Sequence, residues 1–218
     1  MKSRKIIVIL FILFGFINLK LQCRKDFPPE PVYKYFFQEK ISVTPYQLNY
    51  NVGDTIIFRL NIPGKKLFDT QTNTNVFFDS ASFSMGVNLT LLYNNPYIGD
   101  GPFASFFYSS GVSAFSQTYT GSTIAFITTG CSHTTDYEAT VVVILVKKGV
   151  FSIGIYGNDI KNCYNGFATR AQFRLSMDID DTHKSFYQQL PLTDIGKTED
   201  MNVLSQLDSK NIAIINVE

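Results

Sequence analysis

The chain has 218 residues, of which 15% are aromatic and 17% charged, and a formal net charge of +1. That balance excludes the basic footprint of a nucleic-acid-binding protein. Two histidines and three cysteines leave little material for metal clusters or hydrolase triads, whereas 20 Phe and 12 Tyr favour strands.

Lys2, Arg4 and Lys5 precede an apolar run over residues 6–17, broken only by Gly15. The run is shorter than the ~20 apolar residues a spanning helix needs. A basic start followed by a short apolar stretch is the layout of an export signal. Residues 16–22, FINLKLQ, contain no small residue of the kind ordinary signal peptidase requires. Cys23 stands where a lipoprotein signal is cut and its thiol takes diacylglycerol. The expected organisation is an export signal over 1–22, a lipid-anchored tether over 23–38 and one domain over 39–218. Pro28, Pro29 and Pro31 stiffen the tether. An uncleaved anchor and another export route stay open, because Gln22 and Lys20 occupy positions where small or apolar residues are usual. A cut before Cys23 removes four cations and no acid, which takes the net charge from +1 to −3.

The signal followed by Cys23-Arg24-Lys25-Asp26 resembles the start of lipoproteins of Bacteroidetes-type bacteria. The remainder is similar to their single-domain envelope lipoproteins. The resemblance implies a cell-envelope location, most simply the outer membrane, contact with the membrane through lipid on Cys23, and no biochemical activity.

A first strand is expected over residues 39–44. After a turn at residues 51–54, Ile56, Phe58, Leu60 and Ile62 alternate with polar or exposed positions, the period of a half-buried strand. A Gly53-Asp54-Thr55 turn opening a strand that ends at Pro63 resembles the early strands of immunoglobulin-like sandwich domains. Residues 64–75 read as a polar loop. Phe83, Met85, Val87, Leu89, Leu91 and Tyr93 then alternate with Ser82, Ser84, Gly86, Asn88 and Thr90, the clearest strand in the chain. Further strands are expected over 103–108 and 117–128. The β-branched run over 139–146 reads as a strand covered on both faces, turned by Lys147-Lys148-Gly149 into a hairpin with 150–156. A strand over 167–179 would place Phe173, Leu175, Met177 and Ile179 inward, with Gln172, Arg174, Ser176 and Asp178 outward. Residues 180–198 read as loop and short strand, 200–207 as one short helix capped by Asp200, and 212–217 as a closing strand. Many short strands between turns predict an all-β, antiparallel β-sandwich, immunoglobulin-like or jelly-roll-like.

In an oxidising compartment Cys131 and Cys163 are expected to pair. They flank the expected hairpin, whose outer ends return to one end of the sheet. The same thiols with His133 and His183 could hold zinc, but the paired spacing of such sites is missing. Asp159, Asp178, Asp180 and Asp181 could offer oxygens to calcium, but the glycine and distal glutamate of a calcium loop are absent. Catalytic residues are expected to be none, metal ligands none and cofactors none. Tyr97 and Asp100 in NNPYIGDG, and Tyr164 in NCYNG, are the candidate ligand-loop residues, since binding residues concentrate in loops at the ends of sandwiches. The expected role is non-enzymatic binding of an envelope protein or a glycan, or a structural one. The alternatives are a carbohydrate-binding accessory module and, less favoured by the residues, a thiol- or metal-dependent enzyme.

Overall fold

The computed structural model describes residues 34–79, 81–92, 101–109, 112–119, 122–129, 135–162, 171–190 and 200–218. In chain order the strands are β1 (Tyr35–Thr44), β2 (Asn49–Tyr50), β3 (Thr55–Ile62), β4 (Lys66–Asp69), β5 (Thr74–Phe77), β6 (Ala81–Leu91), β7 (Ala104–Tyr108), β8 (Val112–Tyr119), β9 (Ser122–Thr129), β10 (Tyr137–Leu145), β11 (Gly149–Asn162), β12 (Ala171–Met177) and β13 (Ile212–Val217). Among the described residues two α-helices, α1 (Thr182–Gln189) and α2 (Asp200–Asp208), come late.

The strands form an antiparallel β-sandwich of two sheets. One sheet runs β7-β10-β3 and ends on the last residues of β1, where Ser42, Val43 and Thr44 pair with Arg59, Phe58 and Ile57. The other runs β5-β4-β1-β12-β11-β6-β9-β8. β1 therefore belongs to both sheets and closes the sandwich along one side. Its first seven residues lie parallel to β12, from Tyr35 opposite Ala171 to Ile41 opposite Met177. A second parallel pair joins β13 to β2.

Period-two patterning builds the core. Ile56, Phe58, Leu60 and Ile62 from β3 and Phe83, Met85, Val87 and Leu89 from β6 are all buried, as alternation requires. They meet Tyr137, Ala139, Val141, Val143 and Leu145 of β10 and Phe173, Leu175 and Met177 of β12 in one cluster. β13 is apolar on both faces for a reason. Ala213, Ile215 and Val217 enter the main core, while Ile212 and Ile214 pack under Tyr187 of α1 and Leu207 of α2.

Several sequence expectations change. β1 opens at Tyr35 rather than residue 39, so residues assigned to the tether join the sheet. The polar stretch after Gly64 contains the β4–β5 hairpin. Its turn is organised by buried Asp69, which accepts hydrogen bonds from the backbone of Phe36 and Thr72 and from the Thr72 hydroxyl. The stretch read as one strand over 117–128 is the β8–β9 hairpin, with Tyr119 opposite Ser122. The run after Ala139 is not covered on both faces, since Val142 and Ile144 are only half-buried. Residues 180–198, read as loop and short strand, contain α1. Ser176, read as outward, is buried.

The β10–β11 hairpin is overturned. β10 pairs with β3 and β7, and β11 with β6, β12 and β13, so the two consecutive strands lie in opposite sheets. Local turn chemistry cannot separate a hairpin from a crossing between layers, because both need the same tight connection. The two outer ends still come together. The Tyr137 hydroxyl, at the start of β10, accepts from the Ala81 N–H at 2.8 Å. Ala81 is in turn the partner of Asn162, the last residue of β11.

Candidate functional site

The helices cover only part of the outer face of the larger sheet. They pack on β13, with Leu92 and Val150 at the edge of that small core. No described element covers the outer face of the β5-β4-β1-β12 corner.

Strand parity determines what this corner presents. On β1, Phe37 and Ile41 point inward, which turns Phe36 and Gln38 outward. On β12, Ala171 and Phe173 point inward, which turns Gln172 and Arg174 outward. The register sets Phe36 beside Gln172 and Gln38 beside Arg174. On β4, buried Leu67 and Asp69 turn Lys66 and Phe68 outward, and β5 adds Phe77 opposite Lys66 and Asn75 opposite Phe68. Phe68 is 36% exposed and Phe77 64%. Phe36, Gln38, Thr70, Gln172 and Arg174 line a shallow, open cleft of about 70 Å³. The Thr70 hydroxyl and amide both donate to the Phe36 carbonyl, which fixes the cleft wall.

The polar groups here are uncommitted. Among the described residues, the side chains of Gln38, Gln172, Lys66 and Arg174 make no hydrogen bond or ion pair. Further along the same face Lys40 faces Asp178 at 3.8 Å, both well exposed, a pair worth little in water. Glu39 points to the other face, where its carboxylate accepts from the Phe68 amide at 2.7 Å and burial raises its pKa. The corner thus offers aromatic faces, the carboxamides of Gln38, Gln172 and Asn75, and the unpaired cations of Lys66 and Arg174, with the Lys40–Asp178 pair further along the face.

A second cluster holds α1 in place. His183 is 2% exposed and its Nδ1 lies against the Ile214 carbonyl. That carbonyl can only accept, so Nδ1 carries the proton and Nε2 is left with its lone pair, buried and without a partner among the described residues. The Tyr46 ring lies over the imidazole, with centroids 4.8 Å apart. The Tyr46 hydroxyl donates to Asp180 Oδ1 at 2.6 Å, and the Thr182 N–H donates to the same oxygen at 2.8 Å. The Thr182 side chain first, then the Tyr46 hydroxyl and the Thr182 amide, hold the Asp180 carboxyl down at about 2. Burial first, then Asp180, pushes the Tyr46 hydroxyl up. Burial pushes His183 down. The bonds of this cluster dock the helix, with the His183 ring buried and the Asp180 carboxylate at the surface.

The residues expected from sequence to form sites, Cys23, Tyr97, Asp100, Cys131, Cys163 and Tyr164, lie outside the described residues, as does His133. Among the described residues no three His, Cys, Asp or Glu side chains come together to hold a metal. Asp178 and Asp180, weighed as calcium ligands, are engaged with Lys40 and with Tyr46 and Thr182. Sequence reading turned Gln172 and Arg174 outward correctly and missed Phe36, Phe68 and Phe77. The available signal was parity: each is one step from a residue the core must take.

No protein-family model and no curated protein matches the chain. Solved structures similar to it are the type II cohesin dyad from the adaptor ScaA scaffoldin of Acetivibrio cellulolyticus, a type II cohesin domain from the cellulosome of the same organism, and a non-cellulosomal cohesin from the archaeon Archaeoglobus fulgidus. The first is 12% identical with a TM-score of 0.33, covering 65% of this chain and 46% of that one. The second is 11% identical with a TM-score of 0.32, covering 65% and 92%. The third is 11% identical with a TM-score of 0.29, covering 71% and 99%. The chain thus spans under half the length of the first, and at these values the likeness bears on neither ligand nor partner.

Proposed function

We propose that the protein is an exported cell-envelope lipoprotein, anchored in the outer membrane through lipid on Cys23, with a non-enzymatic binding role. The observation that carries the binding role is the uncovered corner of the larger sheet, where Phe68 and Phe77 stay exposed beside uncommitted Gln38, Gln172, Lys66 and Arg174. Grouped exposed aromatic surface on a sheet face marks an interaction site more often than chance exposure. Unpaired amides and cations on a rigid sheet supply orientation without the cost of ordering a loop.

Two measurements on the full-length chain, purified in detergent from envelopes, test this reading. The intact mass of the wild type carries a lipid-sized increment that Cys23→Ser loses; an unmodified full-length mass refutes the anchor. Retention on immobilised envelope glycans and polysaccharides is expected, and Gln38→Ala with Gln172→Ala weakens it at least tenfold. Absence of retention on every matrix removes the carbohydrate-binding form of the proposal. Retention unaffected by the double variant moves the site elsewhere.

A further inference from the structure

The corner that carries the proposed binding role also indicates what it takes. Its area is small. Four strands about 4.8 Å apart make it roughly 14 Å across, and the outward positions run about 13 Å along the strands, near 3.3 Å per residue. That is roughly 200 Å², a quarter of the ~800 Å² a stable protein interface buries on each side. The cleft, about 70 Å³, is far smaller than the ~300 Å³ at which enclosed small-ligand sites begin, so a ligand lies across this face rather than inside it. An extended chain of small flat rings fits this surface better than a folded partner. Phe68 and Phe77 offer apolar ring faces with no polar atom of their own. Gln38 and Gln172 each offer a donor and an acceptor to hydroxyl groups.

Charge narrows the class. Lys66 stands on β4 and Arg174 on β12, on either side of β1, and neither has a counter-ion among the described residues. The nearest acids on these strands are engaged elsewhere: Asp69 is buried within the β4–β5 turn, Glu39 faces the other way, and Asp178 lies beside Lys40. In a domain whose expected mature charge is negative, two unpaired cations flanking an aromatic platform are a local reversal of sign. A guanidinium fork matches a carboxylate with two parallel hydrogen bonds. We infer that this face binds an acidic polysaccharide, its sugar rings lying on Phe68 and Phe77 and its carboxylates meeting Arg174 and Lys66. This inference rests on the binding role proposed above and specifies its ligand class.

The test uses the full-length chain in detergent and three probes: a galacturonate oligomer, the same oligomer with its carboxyls methyl-esterified, and polyglutamate. The expected result is that the acid form binds at least tenfold more tightly than the ester and than polyglutamate. Rising salt weakens the acid form, as exposed charge pairs require. Lys66→Gln with Arg174→Gln removes that preference and its salt dependence while leaving the thermal midpoint unchanged, since both side chains lie on the exposed face. Equal binding of acid and ester, lost in Phe77→Ser, overturns the acidic ligand but leaves the binding face standing. Polyglutamate binding as tightly as the sugar acid overturns the saccharide class. No binding of acid or ester removes the inference, and the glycan-retention result above then decides whether the carbohydrate-binding form of the proposed role falls with it.

Discussion

The hydroxyl of Tyr137 joins the two sheets at one end of the sandwich. It donates to the Phe78 carbonyl at 2.6 Å and accepts from the Ala81 amide at 2.8 Å, with the ring 1% exposed. Tyr137→Phe keeps the ring and strands both backbone groups in a dry environment. A buried polar group left unpaired costs about 1–3 kcal/mol. The expected loss is therefore about 2–3 kcal/mol, read as a lower denaturant midpoint at unchanged slope; a loss within error shows that water replaces the hydroxyl. His183 sets a pH response. Burial depresses its pKa in the folded state, so its stabilising contribution is fully present above the unfolded value near 6.5. It is lost as pH falls from there towards the depressed folded value, because the unfolded chain then binds the extra proton. Tyr46 and Asp180 face the ring. Asp180 opposes the effect only weakly from the surface, and its own contribution is lost below this window, as pH falls from 3.8 towards about 2. Glu39, whose pKa is raised by burial, gives a slope of opposite sign that begins near its ordinary value of 4.5 and runs upward from there, offsetting part of the His183 effect at the acid end. The thermal midpoint should fall between pH 7.5 and 5. His183→Asn, which retains a donor for the Ile214 carbonyl, should flatten that fall. Slope left in the variant belongs to the remaining titratable groups, Glu39 among them.

At the scale of elements, β11 is the strand that others share. Gly149–Gly154 pairs with β13 on the edge that Ile160 then gives to β12, while β6 runs along the opposite edge. The register shifts between Gly157 and Ile160, and Gly157 lies where the change of partner occurs. A Cβ there would come within 2.4 Å of the Phe173 carbonyl oxygen, which is backbone and cannot swing aside. At Gly86 the obstacle is the far end of the Tyr156 side chain, which can move. Gly157→Ala should cost about 1–3 kcal/mol as an overpacking change, and Gly86→Ala less; equal losses would mean that β12 yields as easily as a side chain. The same elements show what sequence could and could not convey. β3, β6 and β12 were legible because each buries one face against one core, so alternation reports burial directly. β4 and β5 were not, because Lys66, Asp69 and Asn75 read as loop residues when the buried role of Asp69 is tertiary. α1 carried in view Asp180, which accepts the Thr182 N–H, but a helix of eight residues is too short for periodicity to outweigh a polar composition. The candidate face follows the same pattern: Gln172 and Arg174 sat on a legible strand, whereas Phe68 and Phe77 sat on the hairpin that composition concealed.

Across the whole molecule, β1 closes one side of the sandwich, and the helices cover the β13 part of one outer face while leaving the β1 corner open. The far side of this architecture bears on the expected pairing of the two cysteines, which lie outside the described residues. The hairpin that first suggested their pairing does not exist, yet a sandwich returns consecutive strands to the same end whether they share a sheet or cross between sheets. The link from Tyr137 to Ala81 and from Ala81 to Asn162 brings the start of β10 to the end of β11. Cys163 is the residue after Asn162, and Cys131 precedes Tyr137 by six. A bridge between them would close a loop containing all of β10 and β11 and restrict the unfolded chain by roughly 3–4 kcal/mol in the entropy model. Protein taken from an oxidising envelope should then show no titratable thiol at these positions until reductant is added. Cys131→Ser, Cys163→Ser and the double variant should lose the same stability, because each removes the same bridge. Two thiols titrating in the untreated protein, or single-variant losses that add in the double variant, would refute the pairing and leave the Tyr137 hydroxyl as the covalently unassisted tie between the sheets at that end.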